Sequence, residues 1–182
     1  MLNYNFFYVK NIFLMSRLIK TKNEDFTLRF AEEDDCGLIL EFIKKLADYE
    51  KRLGEVSTAE SDIKESMFKN KYAEAVIGEY KGTPVGFAVF FHNFSTFLGK
   101  PGIYIEDIFV DPQMRGKGFG SIIFTFFAKL AVERKCGRVE WNVLTWNELS
   151  IKFYEKLGAI PKKEWMFYKL SGEALSSLAH KY

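Results

Sequence analysis

The sequence predicts a mixed α/β sheet domain, and three observations carry that reading. Alternating runs rich in β-branched and aromatic residues recur between segments whose apolar residues fall at helical spacing. Their order is strand, helix, helix, strand, strand, strand, helix, strand, helix, strand. No internal repeat, low-complexity tract or linker divides the chain.

The elements follow in order. The opening MLNYNFFYVKNIFLMSRLIK is apolar, but Lys10 interrupts it, no positive region precedes it and no small-residue cleavage site follows. It also falls short of the roughly 18 unbroken apolar residues that a membrane span needs. Residues 1–22 are therefore expected to be an extension, a leader or a disordered appendage, ahead of one domain over 23–182, with Met15 beginning a more polar start. Phe26 to Ala31 alternates as a short strand, and the acidic EEDD after it suits the positive end of a helix. Leu38, Ile39, Phe42, Ile43, Leu46 and Tyr49 give that helix, from about Asp35 to Glu50, one apolar face. A weaker helix over Thr58–Phe68 is expected behind a Ser57 or Thr58 cap.

Ala73–Tyr80 and Pro84–Phe91 read as an antiparallel hairpin about Lys81-Gly82. A loop, HNFSTFLGKPG, leads to the strand GIYIEDIFV, whose middle carries two carboxylates, Glu106 and Asp107. After DPQMRGKGFGS, the residues Ile122, Ile123, Phe126, Phe127 and Leu130 share one face of a helix reaching about Arg134. RVEWNVL is a strand, and WNELSIKFYEKLG is a helix with Asn147 as N-cap and Gly158 just past its end. WMFYKL is a last strand, and Gly172–His180 a short closing helix.

With 182 residues, 48% hydrophobic and 27% charged, the chain is long enough to bury a sizeable core. Its 26 basic against 24 acidic residues give no broad field to draw nucleic acid or an anionic membrane, so any phosphate binding must be local. Cys36, Cys136, His92 and His180 show no metal-ligand spacing, and free thiols suit a reducing, cytoplasmic compartment.

The strongest chemical signal is Arg115-Gly116-Lys117-Gly118-Phe119-Gly120-Ser121, between a predicted strand and a predicted helix. Glycines there allow a tight turn and a close approach of backbone N–H groups to an anion, which the helix N-terminus also attracts. It is not a Walker A loop, since position 111 is Asp and Gly118 stands where Ser or Thr is required. It does not follow G-x-G-x-x-G either.

R-x-x-G-x-G between strand and helix resembles the acetyl-CoA pyrophosphate loop of GNAT acetyltransferases. Within that superfamily YIEDIFV, RGKGFGS and WNELSIKFYEKLGA are similar to the diamine (spermidine/spermine) N-acetyltransferases, over about Phe26–Leu170. The resemblance implies a mostly antiparallel sheet flanked by helices, and transfer of acetyl from acetyl-CoA to a small-molecule primary amine, a polyamine, diamine or amino-acid-like amine, in a ternary complex. It also implies a homodimer, with no metal, nucleic acid or membrane partner. Arg115, Gly116, Lys117, Gly118, Phe119, Gly120 and Ser121 would bind the pyrophosphate. Backbone of Ile108, Phe109 and Val110 would meet the pantetheine arm, and Asn147 and Ser150 would also meet the cofactor.

Tyr154 matches the family's general acid. A departing thiolate benefits from protonation, and a phenol supplies the proton without bringing charge into an apolar cleft. A Tyr beside Phe153 and Leu157 on an amphipathic helix is equally a core residue. Glu106 matches the carboxylate that accepts the amine's proton, which is needed because an amine with a pKa near 10 is an ammonium at neutral pH. Successive strand residues face opposite sides, so only one of Glu106 and Asp107 should enter the cleft unless a bulge intervenes. Tyr49 and Glu50 match positions that contact polyamine. Where polyamine-specific members place a further acid, this chain has Ser95, which weakens selection for a long polycation. A protein lysine or N-terminal acetyltransferase and a non-catalytic acyl-CoA-binding regulator are the alternatives.

Overall fold

A computed structural model describes residues 18–182, which divide into two compact units, a first that runs to Asn142 and a second over Val143–Tyr182. Residues 1–17, most of the expected extension, lie outside the described residues. The first unit is built on a six-stranded sheet in sequential order, β1 (Ile19–Lys20), β2 (Phe26–Phe30), β3 (Glu74–Tyr80), β4 (Thr83–Ser95), β5 (Lys100–Val110) and β6 (Val139–Trp141). All neighbours are antiparallel except β5 and β6, which run parallel. Strand β1, from the end of the segment set apart as an extension, pairs with β2 through Ile19 and Lys20.

Helix α1 (Cys36–Tyr49) covers one face of the sheet. Its start is anchored by Arg29 of β2, whose guanidinium donates to both oxygens of Asp35 at 2.7 and 2.8 Å while its Nε donates to Glu79 at 2.8 Å. Two anions on one planar donor fork hold the guanidinium well above its usual pKa and tie the helix to β2 and β3. Phe42 then stacks on Phe87 at 5.3 Å and meets Phe109 at 6.2 Å, in a cluster with Ile39, Ile77 and Val89. Helix α2 is shorter than its pattern suggests. One α-helical stretch, Glu60–Ile63, passes into a π-helical turn, Lys64–Lys69. Its cap is neither Ser57 nor Thr58 but Ala59, whose N–H donates to the Asp62 carboxylate at 2.8 Å.

Helix α3 (Phe119–Glu133) covers the opposite face, where Phe119 stacks on Phe26 at 4.1 Å and Phe127 meets Phe90 edge-on at 5.0 Å. The hairpin about Lys81-Gly82 forms as expected, both residues having positive φ, 52° and 78°. That pairing is the type I′ geometry which matches strand twist. The expected loop HNFSTFLGKPG does not open. His92 to Ser95 continue β4 and pair with Ile103 to Lys100, leaving only residues 96–99 as the connection. The alternation of His92, Asn93, Phe94 and Ser95 carried this signal, hidden by the Gly and Pro that follow. No helix among the described residues is long and apolar enough to cross a membrane.

The second unit holds α4 (Glu148–Lys156) and α5 (Gly172–Ala179). Asn147 caps α4, its Oδ1 accepting the Ser150 N–H at 3.3 Å. At the other end Gly158, at φ 85°, closes a two-bond cap: its N–H donates to Glu155 C=O at 3.0 Å and the Ala159 N–H to Tyr154 C=O at 3.1 Å. RVEWNVL shortens to the three residues of β6, and the expected last strand WMFYKL is absent from the sheet. Strand propensity becomes a strand only on a ladder, and Trp165, Met166, Phe167 and Tyr168 are all exposed, with no polar alternation to choose a face.

Phe42→Ala should destabilise the first unit by about 3–5 kcal/mol, and Phe42→Leu by much less, read as shifts in denaturant midpoint.

Candidate active site

The site begins with an irregularity in the sheet. Strands β4 and β5 pair Phe90 with Ile105 but Val89 with Asp107, so Glu106 is an extra residue, a bulge. Cross-strand partners share a face. Ile105 therefore lies with Phe90 on the α3 side, whereas Asp107 lies with Val89, Phe87 and Phe109 on the α1 side. Without the extra residue Ile105 and Asp107 would face the same way. Glu106 itself is exposed.

The same place marks the end of pairing on the other edge. The last rung between β5 and β6 is Ile105 with Trp141, so among the described residues no strand pairs with that edge of β5 from Glu106 to Val110. Ile108, Phe109 and Val110 thus lie on a sheet edge that can offer backbone groups to a ligand, while the Phe109 side chain is buried in the α1 core. One of those groups, the Val110 C=O, accepts from Arg115 Nε at 3.3 Å.

Three carboxyl groups interact here. Asp107 is half-buried and pushed up to about 6, first by burial and then by the anions Glu106 and Glu50. Glu50, capping the end of α1, is raised as well, first by burial, with Arg52 at 3.9 Å opposing the shift and Glu55 adding to it. Tyr104 is raised by burial and by Glu106 and Glu140. Alternation lets only one of Glu106 and Asp107 enter a cleft unless a bulge intervenes; the bulge is present, and it turns Asp107 to the α1 face.

Beyond β5, Asp111 accepts the Gln113 N–H at 3.0 Å and starts a short 3₁₀ turn, Pro112–Met114. The glycine loop follows. Gly116 and Gly118 adopt φ 79° and 83°, and a Cβ at either would meet open space. Both are left-handed positions that a larger residue occupies only under strain. Gly118 is the N-cap of α3, so the N–H groups of the first turn have no acceptor within the helix. Phe119 contributes only backbone to that turn, because its ring is buried against Phe26. The Lys117 ammonium stands over Tyr80 at 4.8 Å, and the Arg115 guanidinium over Tyr49 at 4.4 Å. A glycine cradle, free helix N–H groups and two cations fit a pyrophosphate such as that of acetyl-CoA. Tyr49 joins Lys45, Asp48, Phe109, Asp111 and Gln113 around a cavity of about 340 Å³.

The structure thus brings together Tyr49, Glu50, Glu106 and the loop Arg115–Ser121 in the first unit. In the second, Tyr154 is half-buried on α4 with its ring 5.5 Å from Phe153, and Ser150 and Asn147 stand at that helix's start. Ser95 is not in an open acceptor loop. It is buried at the end of β4, where its Oγ accepts the Leu98 N–H at 3.3 Å and shapes the turn.

Comparison with known proteins points the same way. The model of the acetyltransferase (GNAT) family matches residues 39–159. The chain is 34% identical over 166 residues to the thialysine N-epsilon-acetyltransferase of Sus scrofa, covering 85% of this chain and 97% of that one. It is 50% identical over 93 residues to the L-ornithine N5-acetyltransferase of Arabidopsis thaliana, covering 51% of this chain and 41% of that one. Among solved structures, an integron cassette protein of V. cholerae superposes with a TM-score of 0.73 at 22% identity, over 86% of this chain and 99% of that one.

A carboxyl raised above its unfolded value costs stability once it ionises. The cost is absent below the ordinary aspartate range near 4, grows as the pH rises towards about 6 and is complete above it. Asp107→Asn should therefore stabilise the fold at pH 7.5 by on the order of 1–3 kcal/mol, and thermal melting should show the gain fade by pH 4.

Proposed function

The chain belongs to the acetyltransferase (GNAT) family and is an N-acetyltransferase, and on that premise we propose that its acceptor is the primary amine of a small diamine, polyamine or amino-acid-like molecule. The similarity to a thialysine N-epsilon-acetyltransferase along most of both chains carries this reading. A cluster of carboxyl groups on β5 and at the end of α1 supports it, because an acceptor arriving as an ammonium is drawn to anions.

Acetyl-CoA, when bound, supplies the thioester whose acyl carbon the amine attacks. The chain's own residues bind, orient and move protons. N–H groups from Gly116 to Ser121 hold the pyrophosphate with Lys117 and Arg115 beside it, and the open edge of β5 at Ile108, Phe109 and Val110 aligns the pantetheine arm. Asn147 and Ser150 meet the cofactor from the start of α4. Glu106, Glu50 and Tyr49 receive the acceptor cation, and a carboxylate of this cluster takes its proton. Tyr154 gives a proton to the departing sulfur. No residue forms a covalent intermediate, so both substrates are held at once. The same reading makes the enzyme a cytoplasmic homodimer, with Cys36 and Cys136 kept as free thiols.

Release of free thiol from acetyl-CoA with a panel of amines tests the proposal, and a wild-type enzyme inert towards every small amine would end it. Tyr154→Phe keeps the ring and loses the hydroxyl, so kcat should fall by about 10²-fold or more with acetyl-CoA affinity unchanged. Wild-type turnover would make Tyr154 a packing residue. Gly118→Val, which forces a β-branched residue into a left-handed conformation at the phosphate cradle, should raise the acetyl-CoA KM far more than it lowers the melting temperature. Isothermal titration with acetyl-CoA checks the binding directly.

A further inference from the structure

Beside the carboxyl cluster, the α1 face of the sheet carries a charged pair of another kind. Val89 and Phe91 lie two apart on β4, so their partners Asp107 and Tyr104 share a face, brought there by the bulge between them. Glu140 of β6 stands opposite Tyr104 on the other edge of β5. The Tyr104 ring packs on Phe91 at 5.1 Å, and its phenol is raised by burial and by both Glu106 and Glu140. Two residues of strand span about 7 Å, which is the step from Asp107 to the level of Tyr104 and Glu140.

Glu140 is held from two sides. Its Oε2 accepts from Asn93 Nδ2 at 2.7 Å and lies 2.8 Å from the buried Arg138 Nε, an ion pair off hydrogen-bond geometry. Gly102 makes room for this: a Cβ there would clash with Asn93 Oδ1 and press on Arg138 Cγ at 3.0 Å. The brace uses only one nitrogen of the guanidinium and one oxygen of the carboxylate. Both Nη groups of Arg138 and the Oε1 of Glu140 have no partner among the described residues, and the two side chains are 36% and 38% exposed. A planar donor fork oriented by its Nε, with an acceptor oxygen beside it, is the complement of a carboxylate next to an ammonium.

We infer that Arg138, oriented by Glu140, binds the α-carboxylate of an amino-acid acceptor whose side-chain amine is acetylated, with Glu140 receiving the α-ammonium. The inference deepens the small-amine reading above and rests on it. The lengths agree. An acceptor of ornithine size spans roughly 6 Å from its far nitrogen to its carboxylate carbon, five bonds of about 1.5 Å in zigzag. With its head at Arg138 and Glu140, its methylenes cross the Tyr104–Phe91 pair and its far amine arrives at the carboxyl cluster. A diamine of the same length instead brings a second ammonium to Arg138, so the same residue that attracts one acceptor repels the other.

Steady-state kinetics with L-ornithine and with 1,4-diaminobutane, which lacks only the α-carboxylate, tests the assignment. The wild type should favour L-ornithine by about 10-fold or more in kcat/KM. Arg138→Met should raise the L-ornithine KM by about 10- to 100-fold, the loss lying in KM rather than kcat, and should lower the 1,4-diaminobutane KM, because Glu140 then faces the ammonium alone. Arg138→Lys, which keeps the charge but not the planar fork, should raise the L-ornithine KM and leave the diamine disfavoured, and it carries the test if the methionine variant does not fold. A purely structural brace predicts equal losses with both acceptors, and that result would overturn the inference. A wild type that acetylates 1,4-diaminobutane as efficiently as L-ornithine would sink this inference alone, whereas one that binds acetyl-CoA but acetylates no amine would sink the reading beneath it.

Discussion

A single extra residue in β5 organises the first unit. Strand pairing has a period of two, so inserting Glu106 opposite the Val89–Phe90 link exchanges the faces of everything beyond it. Before the bulge, Ile103 and Ile105 fill the α3 side. After it, Asp107 and Phe109 fill the α1 side, and the ladder to β6 stops at Ile105. One irregularity thus turns a carboxyl into an apolar face and coincides with the opening of a strand edge.

The rest of the first unit holds that irregularity in place. Phe42 bridges Phe87 on β4 and Phe109 on β5, so α1 is packed on the two strands that carry the bulge. Arg29 fixes the start of α1 to β2 and β3 through Asp35 and Glu79, and the helix ends at Tyr49 and Glu50 beside the loop and the carboxyl cluster. On the far face, Phe119 buried against Phe26 sets where α3 begins. The position of the glycine loop therefore follows from a core contact, and Gly118 serves the ligand side of a turn whose other side is hydrophobic packing.

How far this could be read from the residues depends on the length scale of the signal. Features written in a few adjacent residues were plain: the Lys81-Gly82 turn, the Asn147 cap, the Gly158 terminus, the glycine loop. Helix α1 announced itself by its apolar period. Where the signal is relational, reading failed. His92 to Ser95 read as a loop because strand continuation depends on a partner, Lys100 to Ile103, that lies beyond a four-residue connection. Trp165 to Leu170 were assigned to a strand because aromatic content states a preference but not a neighbour. The choice between Glu106 and Asp107 is the sharpest case. A bulge changes pairing without changing composition, so the sequence allowed for one but could not say which carboxylate it would turn inward.

The inward one is costly, and the cost itself is informative. A half-buried carboxyl whose charged neighbours are both anions is the reverse of the pairing that proteins use to stabilise buried charge. An amide or an aliphatic side chain at position 107 would suit the α1 core better. Glu50 adds to that cost, since its charge acts on Asp107 while its own half-burial disfavours the ionised form. A cation brought beside the cluster would offset the repulsion from Glu106 and Glu50 and so ease the ionisation of Asp107, while the effect of burial would remain. The bulge thus sets two adjacent carboxyls in different surroundings, Glu106 in solvent and Asp107 half-buried against the α1 face, which their order in the sequence alone does not distinguish.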